Sequence, residues 1–287
     1  MIEKVGVVGA GLMGAEIALV AALAGKRVVL SDTGEETLAR ALDNLGKVLD
    51  KGVQRGFYQE GQKAEALGRI STTTDLAKFS DCDLVTEAVF ESEEVKAGIF
   101  RTLDSVCKAD AFIASNTSTI SITGLGSYVS PGRRARFLGT HYFSPVSRMK
   151  LVEVIPGLDT GDGTVDALMD YCRDIGKVPI RVKDVVGFAV NRMLHAFMIE
   201  AIRLVEEGVC TPEEIDVACK LGLGHPVGPF ELSDAVTNKL CLQAQEILQG
   251  AYGERFRPRP LLKQMVQAGY NGKRAGRGWY RHDKKDA

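Results

Sequence analysis

The chain has almost no excess of charge of either sign: 36 Lys and Arg stand against 37 Asp and Glu, a formal net charge of -1. A field that weak gives no reason to bind nucleic acid or an anionic membrane, so any basic site must be local. Long apolar runs are also lacking. The most extended, Ile17 to Ala24, falls far short of the roughly 20 residues that a membrane-spanning helix needs, and no membrane span is expected. Six cysteines at 82, 107, 172, 210, 219 and 241 never fall into a CxxC spacing. Neither a metal site nor a disulfide framework is therefore expected, and the thiols read as reduced and buried in a cytoplasm-like compartment. No internal repeat or low-complexity tract appears. The opening MIEKVGVVGAG carries no basic leader and no cleavage-like site, so a cytoplasmic rather than secreted protein is expected.

What is present is a two-part pattern. A chain of 287 residues, 45% hydrophobic and 25% charged, exceeds the usual size of one hydrophobic core, which favours two domains. Short β-branched runs alternate with helical stretches up to about Ile180: KVGVVG, RVVLSD, DLVTEAV, AFIAS, RFLGTH, KLVEVI and VPIRV. That alternation predicts an α/β fold with a mostly parallel sheet. Between Thr33 and Gly68 the apolar spacing predicts two helices forming a protruding hairpin. After Asp184 the segments FAVNRMLHAFMIEAIRLVEEG, TPEEIDVACKLGL and KLCLQAQEILQGAYG read as helices. Thr211 followed by Pro212 reads as a helix start with an N-cap and Pro at the first turn, and Gly208 as the end of the helix before it. A boundary falls near residues 183 to 187, giving a sheet domain over 1–184 and an all-helical domain over 185–287.

The first strand is followed by GAGLMG and an apolar helix. In that order the pattern predicts a Rossmann-type dinucleotide site. Gly9 would allow the tight turn, Gly11 would let the backbone approach a diphosphate, and Gly14 would let the helix pack close to the sheet. Leu12 and Met13 complete the turn at the helix N-terminus, where exposed N–H groups favour an anion. The second strand ends in Asp32, which can accept hydrogen bonds from the adenosine ribose; its other reading is a helix N-cap. A carboxylate about 4 Å from a 2'-phosphate would cost roughly 4 kcal/mol at an effective dielectric near 20, so NAD is expected rather than NADP.

A second stretch, RFLGTHYFSPVSRMKLVEVI, delivers His141 at the end of one strand and Glu153 on the next. Removing a hydride from a secondary alcohol requires that the hydroxyl proton leave, and a neutral imidazole is a natural acceptor near neutral pH. Glu153 would hold the ring. From these two residues alone, a satisfied sheet-edge histidine and a solvated strand glutamate remain the favoured alternative.

Several stretches together, GAGLMG, EAVFES, SNTSTISIT, HYFSPV with LVEVI, GFAVNR and the closing GYNGKRAGRGWY, resemble the 3-hydroxyacyl-CoA dehydrogenases over essentially the whole chain. The resemblance implies an NAD-dependent oxidoreductase of fatty acid metabolism and β-oxidation that interconverts (S)-3-hydroxyacyl-CoA and 3-oxoacyl-CoA, with a short-chain substrate such as 3-hydroxybutyryl-CoA. It implies His141 as base with Glu153 as its partner, and Ser118 and Asn191 as catalytic and substrate contacts. Glu91 and Lys96 match cofactor-contacting positions, and Ser118 would also contact the cofactor by helping to align substrate and nicotinamide. The hairpin resembles the element that contributes to coenzyme A binding, so Lys51 and Arg55, with Lys47 and Lys63, could meet its phosphates. A homodimer through the helical domain is implied as well.

Three departures stand out. Ser144 occupies a position where shorter members carry Asn, and Arg274 stands where a family lysine reaches the cofactor; both remain expected cofactor contacts with altered donors. LSDAVTNKLCLQ lacks the usual Gly-Leu-Asp after its aspartate, which bears on the acyl site. Two other function classes stay open: a dehydrogenase of a non-CoA hydroxy acid on the same fold, and a non-catalytic nucleotide-binding or structural protein.

Overall fold

In the computed structural model, which describes residues 1–282, the chain divides between Val185 and Val186. The first unit runs β1 (Lys4–Val8), α1 (Leu12–Leu23), β2 (Arg27–Ser31), α2 (Glu35–Gln54), α3 (Glu60–Gly68), β3 (Ile70–Thr73), β4 (Leu84–Glu87), α4 (Glu93–Val106), β5 (Phe112–Ser115), α5 (Ile122–Gly126), α6 (Pro131–Arg134), β6 (Phe137–Tyr142), β7 (Leu151–Pro156), α7 (Asp162–Asp174) and β8 (Val178–Arg181). The second holds α8 (Val190–Glu206), α9 (Pro212–Gly222), α10 (Pro229–Val236), α11 (Asn238–Tyr252) and α12 (Pro260–Gln267). No helix among the described residues is long and apolar enough to cross a membrane.

The eight strands form one sheet in the order β3-β2-β1-β4-β5-β6-β7-β8. All neighbours are parallel except β6 and β7. The mostly parallel sheet expected from the alternating pattern is thus formed. The carboxyl ends of β1, β2, β4, β5 and β6 share one edge, and strand order reverses at β1, the kind of crevice where open α/β sheets bind ligands.

The helix α1 is buried continuously from Gly14 to Ala22, so it needs cover on the side away from the sheet. The hairpin supplies it. Leu38, Ala41, Leu45 and Leu49 of α2 and Ala66 of α3 join Ile17, Leu19 and the sheet residues Val5 and Val7 in one core. The hairpin therefore packs along α1 instead of protruding freely, because a helix without a polar face cannot be left in water. The strand β3 is the one strand that the sequence pattern did not mark. It is an edge strand of four residues, ISTT, in which only Ile70 is buried and Ser71 and Thr72 are exposed, so it carries no apolar periodicity.

The second unit packs Met198, Ala201, Ile202, Ile215, Phe230 and Leu262 together. The Thr211 N-cap forms as its sequence implies, with Thr211 Oγ1 accepting from Glu214 N–H at 3.2 Å and Glu214 accepting from Thr211 N–H at 2.8 Å. Two buried acids fold the closing segment back. Asp216 accepts from the N–H groups of Phe230 and Glu231 and from the Tyr280 hydroxyl. Asp234 accepts from Trp279 N–H and Tyr280 N–H. The LSDAVTN departure has a structural counterpart here. Thr237 holds a φ of +132°, a region that favours glycine and costs a β-branched residue of order 1–3 kcal/mol. Its hydroxyl caps α11 at Leu240 N–H, and fully buried Asn238 accepts from Ser233 and Trp279 and donates to the Tyr270 carbonyl.

His195 on α8 is 6% exposed, its Nδ1 has no hydrogen-bond partner among the described residues, and burial pulls its pKa from 6.5 down to about 4. The unfolded chain takes up a proton near 6.5 and the folded one only near 4. Stability from this residue is therefore complete above that window and is lost as pH falls across it. A gap of that size is worth about 3 kcal/mol. In urea titrations between pH 7 and 4.5, His195→Leu should lack that part of the acid destabilisation; the same slope in variant and parent would contradict the assignment.

Candidate active site

At the turn from β1 into α1 the three glycines do three different things. Gly9 has a φ of +101° and a Cβ there would lie 2.6 Å from the Ala88 carbonyl. Gly14 could not carry a Cβ at all, since it would sit 1.8 Å from the Gly9 carbonyl oxygen. Gly11, by contrast, has nothing among the described residues within 4 Å of an added Cβ. It is the N-cap of α1, contributes no side-chain bond, and the first turn carries no acid. The helix therefore presents its positive end and its backbone to open space, which suits a diphosphate. Leu12 is 63% exposed at the same place.

Asp32, at the carboxyl end of β2, accepts from Ala10 N–H and from Thr33 N–H, each at 2.8 Å. It is not the cap of α2, a position held by Gly34. Its carboxylate is fastened to the glycine turn, with acceptor capacity left over for a ribose. The residues present thus fit a dinucleotide: an open glycine backbone, an unshielded helix N-terminus and an acid alongside.

The next strand ends supply a buried ion network. Glu87, fully buried at the end of β4, accepts from Lys96 Nζ at 2.6 Å, Ser115 Oγ at 2.6 Å and Val89 N–H at 2.7 Å. Lys96, 1% exposed on α4, also lies 3.3 Å from Glu91. Glu91 in turn gathers the loop after β5, accepting from the Thr117 and Thr119 hydroxyls and from the N–H groups of Ser118 and Thr119 at 2.5 to 3.0 Å. Burial pushes the Glu91 carboxyl up, but the Lys96 charge and these donors outweigh it, so its pKa is lowered. Asn116 holds the other side of the loop by accepting from Tyr142 N–H at 2.9 Å.

That loop delivers Ser118 to His141. The antiparallel pairing of β6 with β7 sets His141 directly opposite Glu153. His141 Nδ1 lies 2.8 Å from Glu153 Oε2, and Ser118 Oγ lies 3.1 Å from His141 Nε2. His141 is 4% exposed and Glu153 fully buried, while Phe143 stands edge-on to the ring at 4.6 Å. A carboxylate can only accept, so in the neutral ring Nδ1 carries the hydrogen and Nε2 keeps a lone pair. Nε2 is the basic atom, and Ser118 can donate to it.

The structure brings Ser118, His141 and Glu153 together in the first unit, with the glycine turn, Asp32 and Glu91 on the same sheet edge. Ser144 is exposed just beyond β6. Asn191 is half-buried in the first turn of α8 in the second unit and is not its cap, which is Ala189. Arg274 is exposed on the turn Lys273–Ala275 of that unit. On the hairpin, Lys47 pairs with Asp43 and Lys63 with Asp50, whereas Lys51 and Arg55 are exposed near the end of α2. Sequence reasoning did not mark Glu87, Ser115, Asn116 or Thr117. All four stand within the EAVFES and SNTSTISIT stretches, at or just beyond strand ends, and that placement was the available signal.

Two family models cover the chain: the NAD binding domain of 3-hydroxyacyl-CoA dehydrogenase over residues 4–185 and its C-terminal domain over residues 187–282. A probable 3-hydroxybutyryl-CoA dehydrogenase of Deinococcus radiodurans is 43% identical over 97% of this chain and 100% of its own. Among solved structures, an (S)-3-hydroxybutyryl-CoA dehydrogenase from Ralstonia eutropha matches with a TM-score of 0.94 at 39% identity, covering 99% of this chain and all of that one. A 5-formyl-3-hydroxy-2-methylpyridine 4-carboxylic acid 5-dehydrogenase also matches, with a TM-score of 0.81 at 31% identity, over 100% of this chain and 93% of its own.

The glycine geometry yields a paired test. Gly11→Ala meets open space and should change stability by no more than about 0.5 kcal/mol, yet raise the NADH dissociation constant about tenfold or more, a loss near 1.4 kcal/mol. Gly14→Ala should instead unfold the protein at markedly lower temperature. Thermal melts and NADH fluorescence titrations read both, and wild-type NADH affinity in Gly11→Ala would contradict the placement of the cofactor.

Proposed function

The chain belongs to the 3-hydroxyacyl-CoA dehydrogenase family, and on that premise we propose that Ser118, His141 and Glu153 carry its proton transfer. The protein is an NAD-dependent oxidoreductase that interconverts 3-hydroxyacyl-CoA and 3-oxoacyl-CoA. NAD, held by the glycine turn and Asp32, would supply the hydride acceptor for C3 of the substrate. His141 Nε2 takes the hydroxyl proton as that hydride leaves, and Glu153 stabilises the imidazolium through Nδ1–H. Ser118, half-buried beside Nε2, orients the reacting oxygen. In the reverse direction the same ring is the acid. The observation that carries this reading is the double engagement of the ring, with Glu153 on one nitrogen and Ser118 on the other.

Gly9, Gly11, Leu12, Met13, Gly14 and Asp32 hold the cofactor in this reading. Glu91 and Lys96 act as a pair, Glu91 offering the partly exposed carboxylate and Lys96 fixing its charge. Ser144 and Arg274 are proposed as further cofactor contacts and Asn191 as a substrate contact. Lys51 and Arg55 are the proposed meeting points for the anionic groups of coenzyme A, supported by their exposure on the hairpin. A short acyl chain is supported by relatives that carry the name 3-hydroxybutyryl-CoA dehydrogenase. A homodimer is supported by exposed apolar side chains on the second unit, among them Met193 at 66%, Leu221 at 84%, Leu223 at 63% and Leu240 at 55%. The six free cysteines, five of them buried, suit a reducing cytoplasm.

The activity test is NADH consumption with acetoacetyl-CoA, beside free acetoacetate and beside NADPH, repeated with longer 3-oxoacyl-CoAs. Rapid turnover is expected only for the thioester with NADH, falling as the acyl chain lengthens. Faster turnover of a free oxo acid would transfer the assignment to a non-CoA hydroxy acid, the reading favoured by the similarity to a pyridine carboxylate dehydrogenase. Light scattering should give about twice the chain mass, and a monomer at micromolar concentration would contradict the dimer.

A further inference from the structure

The helix α1, LMGAEIALVAAL, carries a single ionisable residue, and it is buried: Glu16 is 5% exposed. A carboxylate placed among Ile17, Leu19 and Val20 is costly unless its oxygens are engaged. Glu16 Oε2 accepts the backbone N–H of Ser147 at 2.7 Å. The opposite charge comes from Lys177, 7% exposed between α7 and β8. Burial pushes the Lys177 pKa down and the Glu16 charge works against that, leaving it lowered overall. Lys177 Nζ donates to the Val146 carbonyl and, at 2.8 Å, to the Met149 carbonyl. The segment Pro145–Met149 is therefore gripped from two sides, by an acceptor on its N–H and by a donor on two of its carbonyls.

Both ends of this arrangement matter to the candidate site. The gripped segment is the direct continuation of His141, Tyr142, Phe143 and Ser144 beyond β6. The residue that grips it sits one turn after Leu12 on the helix whose N-terminus faces the dinucleotide. Glu16 also lines, with Gly11 and Leu12, a pocket of about 210 Å³ whose other wall holds Thr37, Arg40 and Asn44. Tyr58 of the hairpin tip is close enough for its hydroxyl pKa to be raised by burial and then by the Glu16 charge. Glu16 thus ties α1 to a backbone N–H 131 residues along the chain.

We propose that Glu16 is a positioning residue of the cofactor site, fixing the Ser144–Ser147 segment against the glycine-turn helix so that Ser144 meets the nicotinamide end at a constant distance, with Lys177 as its counterpart. The proposal rests on the reading of the glycine turn as the NAD site and adds to it a determinant that the glycine motif does not contain. Its effect falls on cofactor affinity and not on the proton transfer at His141.

The experiment measures the NADH dissociation constant by fluorescence titration, beside kcat and KM with acetoacetyl-CoA, in Glu16→Ala, Glu16→Gln and Lys177→Met. Glu16→Ala should raise the dissociation constant and KM of NADH about tenfold, or 1.4 kcal/mol, with kcat at saturating NADH within about threefold of the parent. Glu16→Gln, whose amide oxygen still accepts from Ser147, should restore most of that affinity. Should Glu16→Ala fail to fold, Lys177→Met leaves α1 intact and is expected to shift NADH affinity in the same direction. Parental affinity in a folded Glu16→Ala or in Lys177→Met, or a Gln variant no better than Ala, overturns the proposal. A wild-type chain that binds no NADH would instead overturn the cofactor reading beneath it, so the two failures are told apart without reference to turnover.

Discussion

The bond between the His141 ring and the Glu153 carboxylate, formed across two antiparallel strands, is the constraint on which the site depends. Side chains alternate faces along a strand, so a slip of one residue between β6 and β7 would carry Glu153 to the opposite face of the sheet. Register therefore decides the chemistry. Where the pairing holds, a fully buried carboxylate finds its partner in the Nδ1–H of a buried ring, and each group offsets the desolvation of the other. The ring tautomer follows from that bond, and with it the identity of Nε2 as the basic atom. The antiparallel pairing of β6 with β7 sets Glu153 directly across from His141, the one histidine of β6.

The remaining parts of the site are held by charges that do not themselves react. Glu87 and Lys96 form a buried pair at the end of β4, and Glu91 uses the same ammonium while collecting the loop that carries Ser118. A loop rich in Ser and Thr has many alternative hydrogen bonds to choose from. Four donors converging on one Glu91 oxygen select one conformation among them. The strand ends β2, β1, β4, β5 and β6 then place Asp32, the glycine turn, Glu91, Ser118 and His141 in that order along one edge, with the reversal at β1 setting Asp32 on the far side of the glycine turn from the His141 ring.

Much of this was legible in the sequence, for physical reasons. The glycine turn could be read because backbone conformation and close approach permit few residues: Gly9 needs its positive φ, and Gly14 cannot hold a Cβ. The helix start at Thr211 could be read because a cap leaves a fixed local spacing. The strand β3 could not, since an exposed four-residue edge buries too little to leave a pattern. The hairpin helices were visible from their apolar stripe, but their docking was not, because periodicity shows that a face is buried without showing against what. Asp32 was found as an acid at a strand end, yet its bond to Ala10 N–H needs the fold. Glu16 was missed because its partner lies 131 residues away, and Glu87 because its bonds to Lys96, on the next helix, and to Ser115, on the next strand, form only in the fold.

The central claim is that His141 and Glu153 act on the proton while leaving cofactor binding untouched. It is tested most directly by single-turnover reduction of acetoacetyl-CoA by NADH in His141→Ala and Glu153→Gln, with NADH affinity measured on the same samples. A positioned base typically supplies about 10² to 10⁴-fold, so His141→Ala should slow the step by that order, and Glu153→Gln should slow it substantially. Both should bind NADH within about threefold of the parent, since neither lies on the glycine turn. Hydride transfer at the parental rate in either variant would contradict the account.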